Sequence, residues 1–132
     1  MIRKVSAPLR IDLCGGSLDI HPIPTDLGPI HIVNAAINRR VTGTLDDTNG
    51  LKLEYSMPLG IKSGSGLGSS GCMNLVWLAL VTGKSDRYWL ADSVYSMELA
   101  TGVVGGMQDQ FVSSYGCIKL LTINHSRVWV ES

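Results

Sequence analysis

The sequence predicts a single domain that mixes β-strands with α-helices. Three observations predict it. Apolar stretches of strand character fall toward both ends of the 132-residue chain. Two apolar patterns of helical period lie between them. A loop of glycine and serine leads directly into the first of those helices, Gly64-Ser65-Gly66-Leu67-Gly68-Ser69-Ser70-Gly71.

Composition bounds the rest. With 45% hydrophobic and 17% charged residues, the chain is globular rather than disordered and can bury a core without staples. A formal net charge of zero gives no electrostatic case for nucleic acid or an anionic membrane. No apolar run approaches the ~18 residues that span a bilayer, and the N-terminus has no signal-peptide core. Cys14, Cys72 and Cys117 are far apart and form no metal-type pair, so they read as reduced, buried thiols of a cytoplasmic protein. Asn124-His125-Ser126 is formally a glycosylation sequon, of little weight without a secretory signal.

Taken in order, residues 2–13 alternate and then run apolar, a strand interrupted by Pro8. Gly15 and Gly16 then turn the chain and present Asp19 from a loop, either to hydrogen-bond sugar-type hydroxyls or to cap a turn. His21 has a structural or a catalytic reading, and Pro22, Pro24 and Pro29 keep this segment irregular. Residues 30–33 and 36–45 read as two strands. Residues 46–50 form a turn carrying the hairpin signal Asn49-Gly50. Leu51, Leu53 and Tyr55 alternate with Lys52, Glu54 and Ser56, as a half-buried strand does.

Behind the glycine loop, Met73, Val76, Trp77 and Leu80 form one helical face, which Gly83 ends. Ser85 and Asp86 start a second helix with the face Leu90, Val94 and Met97. Trp77 and Trp89 read as core or rim packing, or as a base-stacking platform. Residues 118–123 and 128–130 read as strands joined by a turn.

The loop itself is built for an anion. Alternate glycines strip Cβ atoms from one face, and successive amides with the following helix N-terminus offer unpaired N–H groups. We read it as a triphosphate cradle in which Ser69 and Ser70 supply hydroxyls. A dinucleotide-binding turn shares the spacing Gly66, Gly68, Gly71, but residues 57–63 separate the loop from its strand and no acidic residue ends a second strand ~20 residues on. The Walker pattern fails because Leu78 stands where Gly83-Lys84-Ser85 requires an earlier glycine. A flexible linker is the remaining alternative. Farther on, Glu98 and Asp109 lie eleven residues apart with glycines between them, so a loop can bring both carboxylates toward the cradle. Near a triphosphate, one carboxylate can hold magnesium while the other deprotonates an incoming hydroxyl. Glu98 also reads as a helix-surface residue.

Ala7-Pro8-Leu9-Arg10-Ile11-Asp12-Leu13-Cys14-Gly15-Gly16 with Asp19, the glycine loop, and Glu98 through Gly105-Gly106-Met107-Gln108-Asp109-Gln110 occur in one order. Together they resemble the GHMP superfamily of small-molecule kinases, most of all its fucokinase and heptose-phosphate kinase branch. The resemblance implies an α+β fold of the GHMP-kinase N-terminal type (ribosomal protein S5 domain 2-like), a mixed sheet with helices on one face. It also implies ATP-dependent phosphorylation of a sugar or sugar-phosphate hydroxyl, with ATP and Mg2+. Gly64, Ser65, Gly66, Leu67, Gly68, Ser69 and Ser70 would wrap the phosphates, and Ser70 with Glu98 would hold the metal. Asp109 would take the hydroxyl proton, with Arg10 as its charge partner. Asp19, with Gly16, Gly106 and Gln108, would hold the substrate.

Against that pattern, residues 1–132 read as one N-terminal-type domain, shortened near residues 46–50 and lacking the C-terminal domain. A missing half or self-association would cover the surface that domain normally occupies. The alternatives are a nucleotide- or sugar-binding fragment without turnover and, from another class, an NAD-dependent oxidoreductase.

Overall fold

The computed structural model describes residues 1–132 except Leu51, Ser63 and Ser126. The expected strand start at Leu51 and the last sequon position therefore lie outside the described residues. The strands are β1 (Ile2–Cys14), β2 (Ile30–Asp46), β3 (Lys52–Ser56), β4 (Ile118–Asn124) and β5 (Arg127–Glu131). The helices are α1 (Ile23–Leu27), α2 (Ser69–Thr82), α3 (Arg87–Ala100) and α4 (Gln108–Tyr115).

Every pairing of these strands is antiparallel, in the order β1-β2-β4-β5 with β3 on the far half of β2. The sheet is thus antiparallel where a mixed one was expected. The parallel relation does exist, between β3 and β4. Because β1 lies along one edge of β2 over residues 33–46, β3 and β4 lie end to end along its other edge and share no ladder.

The two strands expected at 30–33 and 36–45 are one strand of 17 residues. Asn34 interrupts the apolar run but is fully buried within the strand, so a polar residue marks a packed position rather than a break. Pro8 is tolerated because β1 is an edge strand, and the ladder slips between Pro8 and Arg10. The Asn49-Gly50 hairpin forms as expected, with Asp46 opposite Lys52. In β3 only Leu53 is partly buried, and it packs against the core. The segment of Pro22 and Pro24 is not irregular throughout but holds the short α1, whose first turn accommodates proline.

Helix α2 has no single apolar face. Cys72, Leu75, Val76, Leu78, Ala79 and Leu80 are buried, while Met73 and Trp77 are only partly so. A helix apolar all round is covered on more than one side, and α2 packs on β1 and β2 as well as on α3 and α4. Gly43 allows the approach to the sheet: a Cβ there would stand 2.5 Å from Val76 Cγ1. Gly83 closes α2 in the left-handed conformation, donating its N–H to the Ala79 carbonyl, as expected. Asp86 caps α3 by accepting from Trp89 N at 2.7 Å. On α3 the buried face is Leu90, Ala91, Val94 and Tyr95, while Met97 is exposed. Trp89 stays at the rim with the Lys84 ammonium over its ring at 3.8 Å.

Among the cysteines only Cys72 fits the expectation of burial. Cys14 ends β1 and Cys117 sits in the tight turn before β4, and both are exposed. Burial pushes the Cys72 thiol up to about 11. Among the described residues no helix is long and apolar enough to cross a membrane.

Candidate active site

The glycine loop stands at the junction of β1, α2 and α4. Gly64, Gly66 and Gly68 have φ of 83°, 80° and 71°, a region other residues enter at a cost. A Cβ at Gly64 or Gly66 would meet nothing within 4 Å, so that side of the loop is open. Gly68 is the N-cap of α2 and offers no side-chain acceptor, which leaves the first-turn amides to a ligand. Ser69 is buried and Ser70 exposed at that same turn. Leu67 packs its side chain against the core and thereby anchors the loop, and Ser65 faces solvent.

Arg10 ties this loop to α4. Its backbone N–H donates to the Leu67 carbonyl at 3.0 Å and its Nη1 to the Gly66 carbonyl at 2.8 Å. Its Nε and Nη2 lie 2.6 and 2.5 Å from a single oxygen, Asp109 Oδ1. Asp109 Oδ2 has no protein donor among the described residues. The glycines between α3 and α4 reverse the chain, so Asp109 sits in the first turn of α4, where negative charge suits the helix dipole. An added Cβ at Gly68 would lie 3.3 Å from the Asp109 carboxyl carbon, and one at Gly71 would lie 3.1 Å from Asp109 Cβ. The cradle and the carboxylate therefore share one place.

Ser70, Glu98, Gly106, Asp109 and Gln110 line a common pocket of about 150 Å³. Glu98 is not a free surface residue: its two oxygens accept from Asn74 Nδ2 at 2.9 Å and Gln110 Nε2 at 2.6 Å. A hydroxyl and two carboxylates around one opening suit Mg2+, which takes hard oxygen ligands and keeps most of its water. No cluster of three acidic, His or Cys ligands is present among the described residues. The open amides of α2 suit a polyphosphate, so the residues fit both groups.

Asp19 is 2% exposed, and Oδ2 accepts from Gln108 N at 3.0 Å, so it anchors the start of α4. Burial pushes its carboxyl above the usual range, opposed by hydrogen bonds from the Gln108 and Met107 backbone. Gly106 makes room for it, since a Cβ there would stand 1.9 Å from Asp19 Oδ2. Asp19 also lines a larger pocket of about 370 Å³ with His21, Tyr95, Met107 and His125. Met107 faces that space while its neighbour Gly106 lines the smaller one, so the two openings flank one segment of chain.

Two expected substrate residues stand elsewhere. Gln108 is buried and turned toward β2, where its Oε1 accepts from Asn34 Nδ2 at 3.4 Å, because the first position of α4 faces the sheet. Gly16 closes on Asp12, whose carboxylate oxygen would lie 1.7 Å from an added Cβ, and it lines neither pocket. Asn74, Tyr95, Met107 and His125 join the surroundings of the site without having been singled out. Met107 stands inside the quoted Gly105–Gln110 run and His125 inside the sequon, but neither was given a site role, and Asn74 and Tyr95 lie in helical patterns with no motif.

The antiparallel sheet with α2 and α4 packed on it is the α+β arrangement expected of a GHMP-kinase N-terminal domain. Solved structures share this fold. A D-glycero-D-manno-heptose 1-phosphate kinase from Bacteroides thetaiotaomicron matches 99% of this chain at a TM-score of 0.77 and 22% identity. A protein provisionally named a sugar kinase from Campylobacter jejuni matches 98% at 0.67 and 24% identity. Mevalonate kinase from Methanococcus jannaschii matches 100% at 0.75 and 13% identity. The chain spans 59%, 55% and 56% of those three chains. No family model and no curated protein sequence matches it.

Proposed function

We propose that this chain is the catalytic half of a sugar kinase, moving the γ-phosphate of ATP to a hydroxyl of a sugar or sugar phosphate. The observation that carries the proposal is the junction of Arg10, the loop carbonyl of Gly66 and Asp109, which sets a carboxylate against an open glycine cradle.

In this reading the amides of residues 64–70 hold the phosphates, and the Ser70 hydroxyl with Glu98 holds Mg2+. The bound metal and nucleotide supply charge neutralisation and the transferred group. Asp109 accepts the acceptor hydroxyl's proton at Oδ2, since Arg10 engages Oδ1. Arg10 fixes the carboxylate's direction and its distance from the loop, so catalysis is mainly positioning. The sugar would lie toward Asp19 and the larger pocket, with His21 and His125 at its rim. Residues 1–132 are one N-terminal-type domain in this proposal, shortened near residues 46–50, and a C-terminal half or a second copy closes the site. ATP-rich cytoplasm is its proposed location.

A second reading, nucleotide or sugar binding without turnover, is supported by the same open side of the loop at Gly64 and Gly66. A coupled ADP-release screen over fucose, mannose, galactose and heptose phosphates decides between the two when run with this chain and with any longer gene product. Release with one acceptor supports the kinase. ATP binding without release from either protein supports binding without turnover.

A further inference from the structure

Gln110 follows Asp109 in α4 and is 2% exposed, yet it lines the pocket shared by Ser70, Glu98 and Asp109. Its Nε2 donates to Glu98 Oε2 at 2.6 Å. The amide has only one sensible orientation, because a carboxylate can only accept, and the flipped amide would set two acceptors against each other. That orientation leaves Gln110 Oε1 buried and without a hydrogen-bond partner among the described residues. A buried carbonyl oxygen without a donor costs about 1–3 kcal/mol, so the Nε2–Glu98 bond is held in place at a cost to stability. Across the carboxylate, Asn74 Nδ2 from α2 holds Glu98 Oε1 at 2.9 Å. Three helices thus meet at one carboxylate, each by one side chain.

Building on the kinase reading above, we propose that Gln110 is a metal-positioning residue. Its Nε2 fixes the Glu98 carboxylate so that the remaining lone pairs face the pocket. Asp109 and Gln110 are adjacent on one helix, so the proton-accepting group and the metal's carboxylate are set by the same rigid element. Asn74 completes the clamp from the helix that carries Ser70. Groups of this kind around a metal ligand typically change metal affinity by about 10–100-fold when removed.

The experiment is a calorimetric titration of the chain with ADP, in EDTA and again over a series of Mg2+ concentrations, for the wild type, Gln110→Met and Glu98→Gln. Expected is a Mg2+ half-saturation at least 10-fold higher in Gln110→Met, with ADP affinity in EDTA unchanged within about 2-fold. The double variant should lose no more than the worse single variant, because both changes break one linkage. An unaltered Mg2+ dependence in Gln110→Met overturns the proposal while the kinase reading stands. Equal losses with and without Mg2+ also overturn it, since they mark a packing role. Wild-type ADP affinity that ignores Mg2+ sinks the metal site itself and this proposal with it. Gln110→Asn keeps the amide but is one methylene too short to reach Glu98, and it must show the same loss should Gln110→Met fold poorly.

Discussion

Gly106→Ala is a small change with a large expected cost. The added Cβ would stand 1.9 Å from Asp19 Oδ2 and 2.3 Å from Oδ1. Ordinary contact begins near 3.4 Å, so the carboxylate must retreat by about 1.5 Å (3.4 − 1.9). That takes it out of range of Gln108 N, now 3.0 Å away. A hydrogen bond to a carboxylate is worth about 1.5–3 kcal/mol, and overpacking adds about 1–3 kcal/mol. The expected loss is therefore about 2.5–6 kcal/mol, seen as a lower urea midpoint at constant slope. Gly105→Ala is the control, because its Cβ would meet nothing within 4 Å; it should stay within about 0.5 kcal/mol. Adding Asp19→Ala removes the clash, so the double variant should be more stable than the two single losses sum to. A Gly106→Ala chain within 1 kcal/mol of wild type, or an equal loss in Gly105→Ala, would refute the reasoning.

Other expectations follow from the same geometry. Burial raises the Asp19 carboxyl above its ordinary 3.8. The folded state therefore binds the proton more tightly, and this contribution, full below pH 3.8, fades as pH rises through the folded value. Relative to Asp19→Asn, the wild type should lose stability over that interval, measured by urea titration at each pH. Iodoacetamide at pH 8 should label Cys14 and Cys117 in the folded chain and add Cys72 only in denaturant, because that thiol is buried and stays protonated to about 11. Intact-mass measurement counts the labels. Asp86→Ala should cost about 1 kcal/mol by removing the α3 cap, again read from the urea midpoint.

Local signals carried much of this fold into the sequence. The Asn49-Gly50 hairpin, the Gly83 stop and the Asp86 cap depend on a few neighbouring residues, and each forms where its chemistry places it. The open glycine loop and the return of Asp109 beside it were legible for a related reason: glycines at alternate positions and between two helices constrain the backbone wherever they occur. What was hidden depends on contacts across the chain. Asn34 looks like a strand break until Gln108, 74 residues away, comes within hydrogen-bond range. Met73 and Trp77 share a helical face with Val76, but four neighbouring elements cover α2, and these two side chains are only partly buried. Asp19 offers a loop carboxylate in sequence, and only the Gly106 backbone beneath it shows that it anchors α4. Glu98 likewise becomes more than a helix-surface acid only through Asn74 and Gln110.

The most direct test of the account is a paired measurement on the wild-type chain and Asp109→Asn. Calorimetry follows ATP binding with Mg2+, and phosphate transfer is followed at high protein concentration with the acceptor chosen by the screen. The account requires saturable, one-site ATP binding in both proteins and transfer only in the wild type. Absence of saturable ATP binding by the wild type, or transfer that survives in Asp109→Asn, would contradict it.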